Sequence, residues 1–74
     1  MVRFIGPVRR PGPERTIEVA REGLATVADL LGRLGYTAVE SSRLTVLLDG
    51  VRADAGAPLG LARTADILIL VGGG

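Results

Sequence analysis

Ile67-Leu68-Ile69-Leu70-Val71 is a continuous apolar run, and Gly72-Gly73-Gly74 follows it directly. A short run with no polar alternation is typical of a strand in the middle of a sheet, because an edge strand has one side open to water. A last strand placed centrally beside the first strand would run parallel to it. We therefore expect a mixed sheet with a helix crossing one of its faces.

The rest of the chain predicts four further strands and one helix. Strands are expected at residues 2–5, 15–19, 44–48 and 51–52, in addition to the final strand at 67–71. Asp49-Gly50 between the third and fourth strands is a strong two-residue hairpin turn. We expect residues 36–42 to be a connection and residues 53–65 to be mostly loop. The predicted order is β-β-α-β-β-β.

The predicted helix has clear start and stop signals. Thr26 suits the N-cap position, and Asp29 places a carboxylate in the first turn. Gly35 suits the left-handed position that follows the last turn. One apolar stripe lies between them at helical spacing: Val27, Leu30, Leu31 and Leu34. This stripe is expected to cover the sheet.

Composition excludes several classes of function. The 74 residues include neither cysteine nor histidine, so we expect no disulfide, no zinc or other metal site and no histidine base. The nine basic residues are all arginine, are spread along the chain and nearly balance eight acidic residues, which argues against nucleic-acid binding. The apolar runs are too short to cross a membrane, and the N-terminus lacks a signal pattern, so a cytoplasmic protein is expected.

Several short motifs occur in a characteristic order. They are residues 2–9, residues 14–19, Thr26-Val27-Ala28-Asp29-Leu30-Leu31, Leu47-Leu48-Asp49-Gly50, Pro58-Leu59 and the terminal Gly73-Gly74. In this order the chain resembles the MoaD/ThiS family of sulfur-carrier proteins, relatives of ubiquitin that include the molybdopterin-synthase small subunit. The resemblance implies an α+β, ubiquitin-like β-grasp fold, with a mixed sheet of four to five strands and one main helix on one face. Residues 1–71 would form the domain, and residues 72–74 a flexible tail.

The resemblance also implies a chemistry centred on the C-terminus. An E1-like adenylyltransferase of the MoeB/ThiF type would thread Gly72 and Gly73 into its active site and adenylate the Gly74 carboxylate with ATP and magnesium. Sulfur would then replace AMP, and the Gly74 thiocarboxylate would donate sulfur to an acceptor synthase subunit of the MoaE or ThiG type. Molybdopterin synthesis is favoured over thiamine thiazole synthesis. The chain would be a carrier and co-substrate with no cofactor and no catalytic residue of its own, at most the small subunit of a synthase complex.

The resemblance suggests partner contacts on the sheet and its loops. The candidate residues are Ile5, Arg9, Arg63, Leu68 and Leu70. Ile5 could equally be a half-buried strand residue, and Arg9 a solvated loop charge. Either Leu68 and Leu70 or Ile67 and Ile69 face the helix, and the alternation alone does not decide which.

Two alternative functions and one choice of alignment stay open from the sequence. The chain could be a ubiquitin-like modifier conjugated through Gly74 to target lysines, or a passive β-grasp binding module with a glycine linker. The alignment with the family is also open. The family usually has an acidic turn before its last strand, and this chain can be aligned to that pattern either by matching Pro58-Leu59 or by matching Asp66. The second alignment shortens the tail by a few residues.

Overall fold

The computed structural model describes residues 1–69, which form a small α+β fold. Its elements are β1 (Val2–Ile5), β2 (Thr16–Ile17), α1 (Val27–Arg33), α2 (Ala38–Ser42), β3 (Leu44–Leu48), β4 (Val51–Ala53) and β5 (Ala65–Ile69). Within these 69 residues, no helix is long and apolar enough to cross a bilayer.

The five strands form one mixed sheet in the order β2-β1-β5-β3-β4. β1 and β5 are parallel, with Val2 opposite Ala65 and Ile5 opposite Leu68. The other neighbouring pairs are antiparallel. The prediction that the last strand is central and parallel to the first is confirmed, because β5 lies between β1 and β3.

Helix α1 begins and ends as its sequence predicts. The Thr26 hydroxyl accepts from the Asp29 N–H, and the Asp29 carboxylate accepts from the Thr26 N–H, which completes a capping box. Gly35 follows the last turn with φ +90°, a conformation that suits a residue without a Cβ atom. All four residues of the predicted apolar stripe are buried.

The core lies between α1 and one face of the sheet. Ile67 on β5 is fully buried, and Phe4 on β1 and Val46 on β3 lie on the same face. With a single phenylalanine and a single tyrosine in the chain, aliphatic side chains supply most of this core. Each fully buried side chain of this size stabilises the fold by roughly 1.5–3 kcal/mol, so the α1 stripe and the sheet hold each other in place.

The structure differs from the sequence prediction at α2, β2 and β5, and β4 includes Ala53, which was predicted as loop. Residues 36–42, predicted as a connection, contain α2, which begins with a second capping box between Thr37 and Glu40. Because no residue of α2 is buried, it has no apolar stripe by which to recognise it. β2 covers only two of the five predicted residues. β5 begins two residues earlier than predicted and includes Asp66 as a strand residue; the predicted residues 70–71 lie outside the described part.

The turn between β3 and β4 also fixes the start of β5. Asp49 and Gly50 have φ of +48° and +85°, as a two-residue hairpin turn requires. One Asp49 carboxylate oxygen accepts from the N–H groups of Arg63 and Thr64 at 2.9 Å each, and from the Thr64 hydroxyl at 3.1 Å. These donors, the Thr64 N–H first, hold the pKa of Asp49 below its ordinary value.

Candidate functional site

The sheet has a second face that α1 does not cover. Strand alternation places the side chains between the core positions on this face. They are Arg3 and Ile5 from β1, Thr45 and Leu47 from β3, Arg52 from β4, and Asp66 and Leu68 from β5. We call this surface the open face.

Two of the predicted contact residues lie side by side on the open face, where β1 ends. Ile5 and Leu68 lie opposite each other in the register of β1 and β5. Ile5 is 45% exposed and Leu68 is half-buried, while their neighbours Phe4 and Ile67 are in the core. The orientation that the sequence left open is therefore resolved: Leu68 is on the open face and Ile67 faces the helix.

An ion pair lies beside this apolar pair. Arg3 donates from Nε to one carboxylate oxygen of Asp66 at 2.6 Å and from Nη2 to the other at 2.8 Å. Asp66 is only 5% exposed. Its hydrogen bonds and its charge raise the pKa of Arg3 above the ordinary value, so the guanidinium stays charged. The pair is neutral as a whole.

Leu47 extends the apolar surface across the sheet. It lies opposite Asp66 on one side and opposite Arg52 on the other. Leu47 is thus a diagonal neighbour of Leu68, and with Ile5 the two form a small apolar patch bordered by the neutral Arg3–Asp66 pair, by Thr45 and by the positively charged Arg52. A protein partner with a complementary apolar surface and a nearby carboxylate would fit this arrangement.

Arg9 is held elsewhere, at the junction between the two helices. Its guanidinium donates to both carboxylate oxygens of Glu40, at 2.7 and 2.9 Å, and to the Gly35 carbonyl at 3.1 Å. It also lies 5.0 Å from the centre of the Tyr36 ring, and the Tyr36 hydroxyl donates to the Arg9 carbonyl. Through these contacts Arg9 connects the loop after β1 to the two helices.

The contact with Arg9 changes the pKa of Glu40. The Arg9 hydrogen bonds and then the Thr37 N–H lower the pKa of Glu40 to about 2. The carboxylate is consequently ionised at neutral pH and serves both the ion pair and the α2 capping box.

Arg63 lies at the other end of the sheet from the Ile5–Leu68 pair. Its N–H donates to Asp49, and its carbonyl accepts from the Met1 nitrogen at 3.0 Å. β5 begins just after Arg63 and advances roughly 13 Å over its length at the usual rise per residue. The structure therefore brings Ile5 and Leu68 together and places Arg63 apart from them.

The remaining predicted residues, Leu70, Gly72, Gly73 and Gly74, lie outside the described residues. Ile69, the last residue of β5, is also the last residue that the structure describes. Between Met1 and Ile69 no cluster of three or more acidic, histidine or cysteine side chains could hold a metal ion.

Comparison with protein-family models, curated proteins and solved structures gave no match. The description of the open face therefore rests on the chain's own geometry.

Sequence reasoning missed the polar and apolar neighbours of the Ile5–Leu68 pair. Arg3, Asp66 and Leu47 become visible once the strands are in register, because residues two apart on a strand share a face. The alternation of Arg3 with Phe4 was the available signal. This alternation places Arg3 and Phe4 on opposite faces, but only the register of β5 shows that Asp66 is the partner of Arg3.

Proposed function

We propose that this chain is a ubiquitin-like sulfur carrier with a β-grasp fold, whose reactive group is the Gly74 carboxylate. The observation that carries the proposal is the position of β5. It is the central strand, parallel to β1, and only Leu70 and Val71 separate it in sequence from three glycines. A central strand followed in sequence by glycines would offer a terminal carboxylate on a backbone that a narrow channel can admit, since glycine has no side chain.

The proposed reaction needs no catalytic group from this chain. An α-carboxylate is ionised at neutral pH, so its oxygen can attack the α-phosphate of ATP, and pyrophosphate leaves. A hydrosulfide then attacks the carbonyl carbon of the acyl-adenylate, AMP leaves, and the thiocarboxylate remains. If a persulfide supplies the sulfur, a second thiol must reduce the acyl disulfide. An activating enzyme supplies the magnesium and the cationic groups that stabilise the phosphates.

The open face supplies the docking surface in this proposal. Ile5, Leu47 and Leu68 give an apolar centre, and Arg52 supplies a positive charge at its border. We expect the E1-like enzyme of the MoeB/ThiF type to cover this patch and to place a carboxylate near Arg52. An acceptor synthase subunit of the MoaE or ThiG type would use the same carrier afterwards, in the cytoplasm, with molybdopterin synthesis as the favoured pathway.

The test is the intact mass of the chain after incubation with an E1-like enzyme, ATP, magnesium and a sulfide source. The proposal expects a mass gain equal to the replacement of one oxygen by one sulfur, and fragmentation should place it on Gly74. Omitting ATP and deleting Gly73 and Gly74 are the matched controls, and both should abolish the gain. An unchanged mass with several competent activating enzymes would overturn the proposal.

A second readout separates the carrier from the two alternatives. A tagged chain incubated in cell extract with ATP should yield thiocarboxylate without lysine-linked conjugates if it acts as a carrier. Conjugates through Gly74 would favour the modifier. A coding sequence that continues beyond Gly74 would favour the passive module, because the carboxylate would then not be free.

A further inference from the structure

A cleft of about 470 Å³ lies at the end of the sheet where β1 and β5 begin. Its apolar lining includes Val19 and Leu24 from the segment before α1, Leu30 from α1, Leu48 from β3, and Leu59. These side chains are buried or half-buried and belong to the core or pack against it. The floor of the cleft is therefore an extension of the core that reaches the surface.

The rim of the cleft carries positive charge in a fixed position. The Arg21 guanidinium donates to the Gly60 carbonyl at 2.6 Å and to the Ala62 carbonyl at 3.0 Å. These carbonyls hold the side chain against the loop that contains Leu59, and they do not neutralise its charge. Arg63 also lines the cleft, and Glu18 is the acidic residue among its described lining.

The two arginines of the cleft, like most arginines of the described residues, have no carboxylate partner. Arg3 and Arg9 each bind a carboxylate through two hydrogen bonds. Among residues 1–69, these are the two ion pairs between side chains, and neither involves Arg21 or Arg63. The cleft thus combines an apolar floor with two arginines in its lining, and an anion at this rim would give them a carboxylate partner.

We propose that this cleft binds a small anionic ligand with an apolar body, of the class of medium-chain carboxylates. Its volume falls in the usual range for small-molecule sites, in which apolar walls bind the body and a few polar groups orient it. The alkyl chain occupies the floor at Leu24, Leu48 and Leu59, and the carboxylate lies at the rim with Arg21 and Arg63. This proposal does not depend on the sulfur-carrier function, since the cleft is at the opposite end of β1 and β5 from the Ile5–Leu68 pair.

The test is an NMR titration of the ¹⁵N-labelled full chain with three ten-carbon probes. They are decanoate, neutral decanol and cationic decyltrimethylammonium, each kept below the concentration at which it aggregates. We expect saturable shifts with decanoate at Val19, Leu24, Leu48 and Ala65, with weaker binding of decanol and the weakest binding of the cation. The absence of saturable shifts, equal binding of the three probes or shifts centred on the open face would overturn the proposal.

Two variants and one control locate the ligand. Arg63→Glu reverses a rim charge and should weaken decanoate binding by on the order of fivefold, with little effect on decanol. Ala62→Phe adds volume to the lining and should weaken both probes. Arg43→Glu makes the same charge change at an exposed residue away from the cleft and should bind decanoate like the parent chain. An equal loss in Arg43→Glu would show a non-specific charge effect and would contradict the proposed site.

Discussion

Arg3 on β1 and Asp66 on β5 lie directly opposite each other in the parallel strand pair, joined by two hydrogen bonds between guanidinium and carboxylate. The two partners differ in exposure, because about half of the Arg3 side chain is in solvent and Asp66 is buried. Arg3 therefore provides the hydrogen bonds and the positive charge that the buried Asp66 carboxylate needs at the border of the apolar patch.

This asymmetry predicts unequal effects of breaking the pair. Arg3→Gln leaves the buried Asp66 carboxylate without its cation, whereas Asp66→Asn leaves an arginine that water can solvate. We expect Arg3→Gln to lower the melting temperature more than Asp66→Asn, and the double variant to be no worse than Arg3→Gln. Thermal unfolding of the three proteins measures this. Equal losses, or a larger loss in Asp66→Asn, would contradict the proposed role of the pair.

The Arg9–Glu40 pair predicts a pH dependence. The pKa of Glu40 is lowered from 4.5 to about 2 in the folded chain, so the contact stabilises the fold fully above pH 4.5 and is lost as the pH falls towards 2. Carboxyl ¹³C shifts should give Glu40 a midpoint near 2, and Arg9→Gln should raise that midpoint towards 4.5. The neighbouring substitution Arg10→Gln should leave it unchanged. Identical midpoints in both variants would rule out Arg9 as the cause.

The Asp49-Gly50 turn predicts that a methyl group added at Gly50 lowers the free energy of unfolding, whereas one added at an ordinary glycine does not. Gly50 has φ +85°, which an L-residue with a Cβ atom adopts only with strain, although nothing lies close to the added atom. Gly50→Ala should destabilise the fold by about 1–2 kcal/mol in urea unfolding. Gly56→Ala is the matched control, because its site is equally open and its φ is not positive. It should change the stability by less than about 0.5 kcal/mol.

The open face predicts a loss of partner binding without a loss of stability. If the proposed function holds, Ile5→Ser should raise the KM for the chain in the adenylation assay about fivefold or more, since it removes an apolar contact from the proposed interface. Val39→Ser, on α2, is the matched control because Val39 is even more exposed and lies away from the sheet. Both variants should melt within a few degrees of the parent chain. Equal KM values for the two would exclude Ile5 from the interface.

Substituting the terminal residue is expected to impair adenylation without lowering stability, unlike a substitution in the core. Gly74→Ala should prevent or strongly slow adenylation, because the added methyl group would have to enter the narrow channel of the proposed activating enzyme. Its melting temperature should match that of the parent chain, since chain ends contribute little to a core. Adenylation is measured by ATP-dependent pyrophosphate release, with the parent chain alongside. Normal release from Gly74→Ala would contradict the proposed threading.

Much of the fold could be predicted because its local signals agree with one another. Thr26, Asp29 and Gly35 mark the ends of α1, its four apolar residues are at helical spacing, and Asp49-Gly50 has the turn chemistry that the hairpin needs. The uniformly apolar run from Ile67 pointed to a central strand, which β5 is. Each of these signals depends on residues close together in sequence.

The features that could not be predicted depend on distant residues. Which face of β5 meets the helix follows from its register with β1 and β3, and no local pattern of leucine and isoleucine specifies that register. The Arg3–Asp66 pair joins residues 63 apart. Helix α2 has a capping box but no buried side chain, so periodicity could not reveal it.

The central place of β5 also bears on mechanical resistance. A force directed along β5 from Ile69 slides this strand between β1 and β3, so it loads the hydrogen bonds on both sides at the same time instead of opening them one by one. A pull along β5 at Ile69 is thus met by a shear geometry.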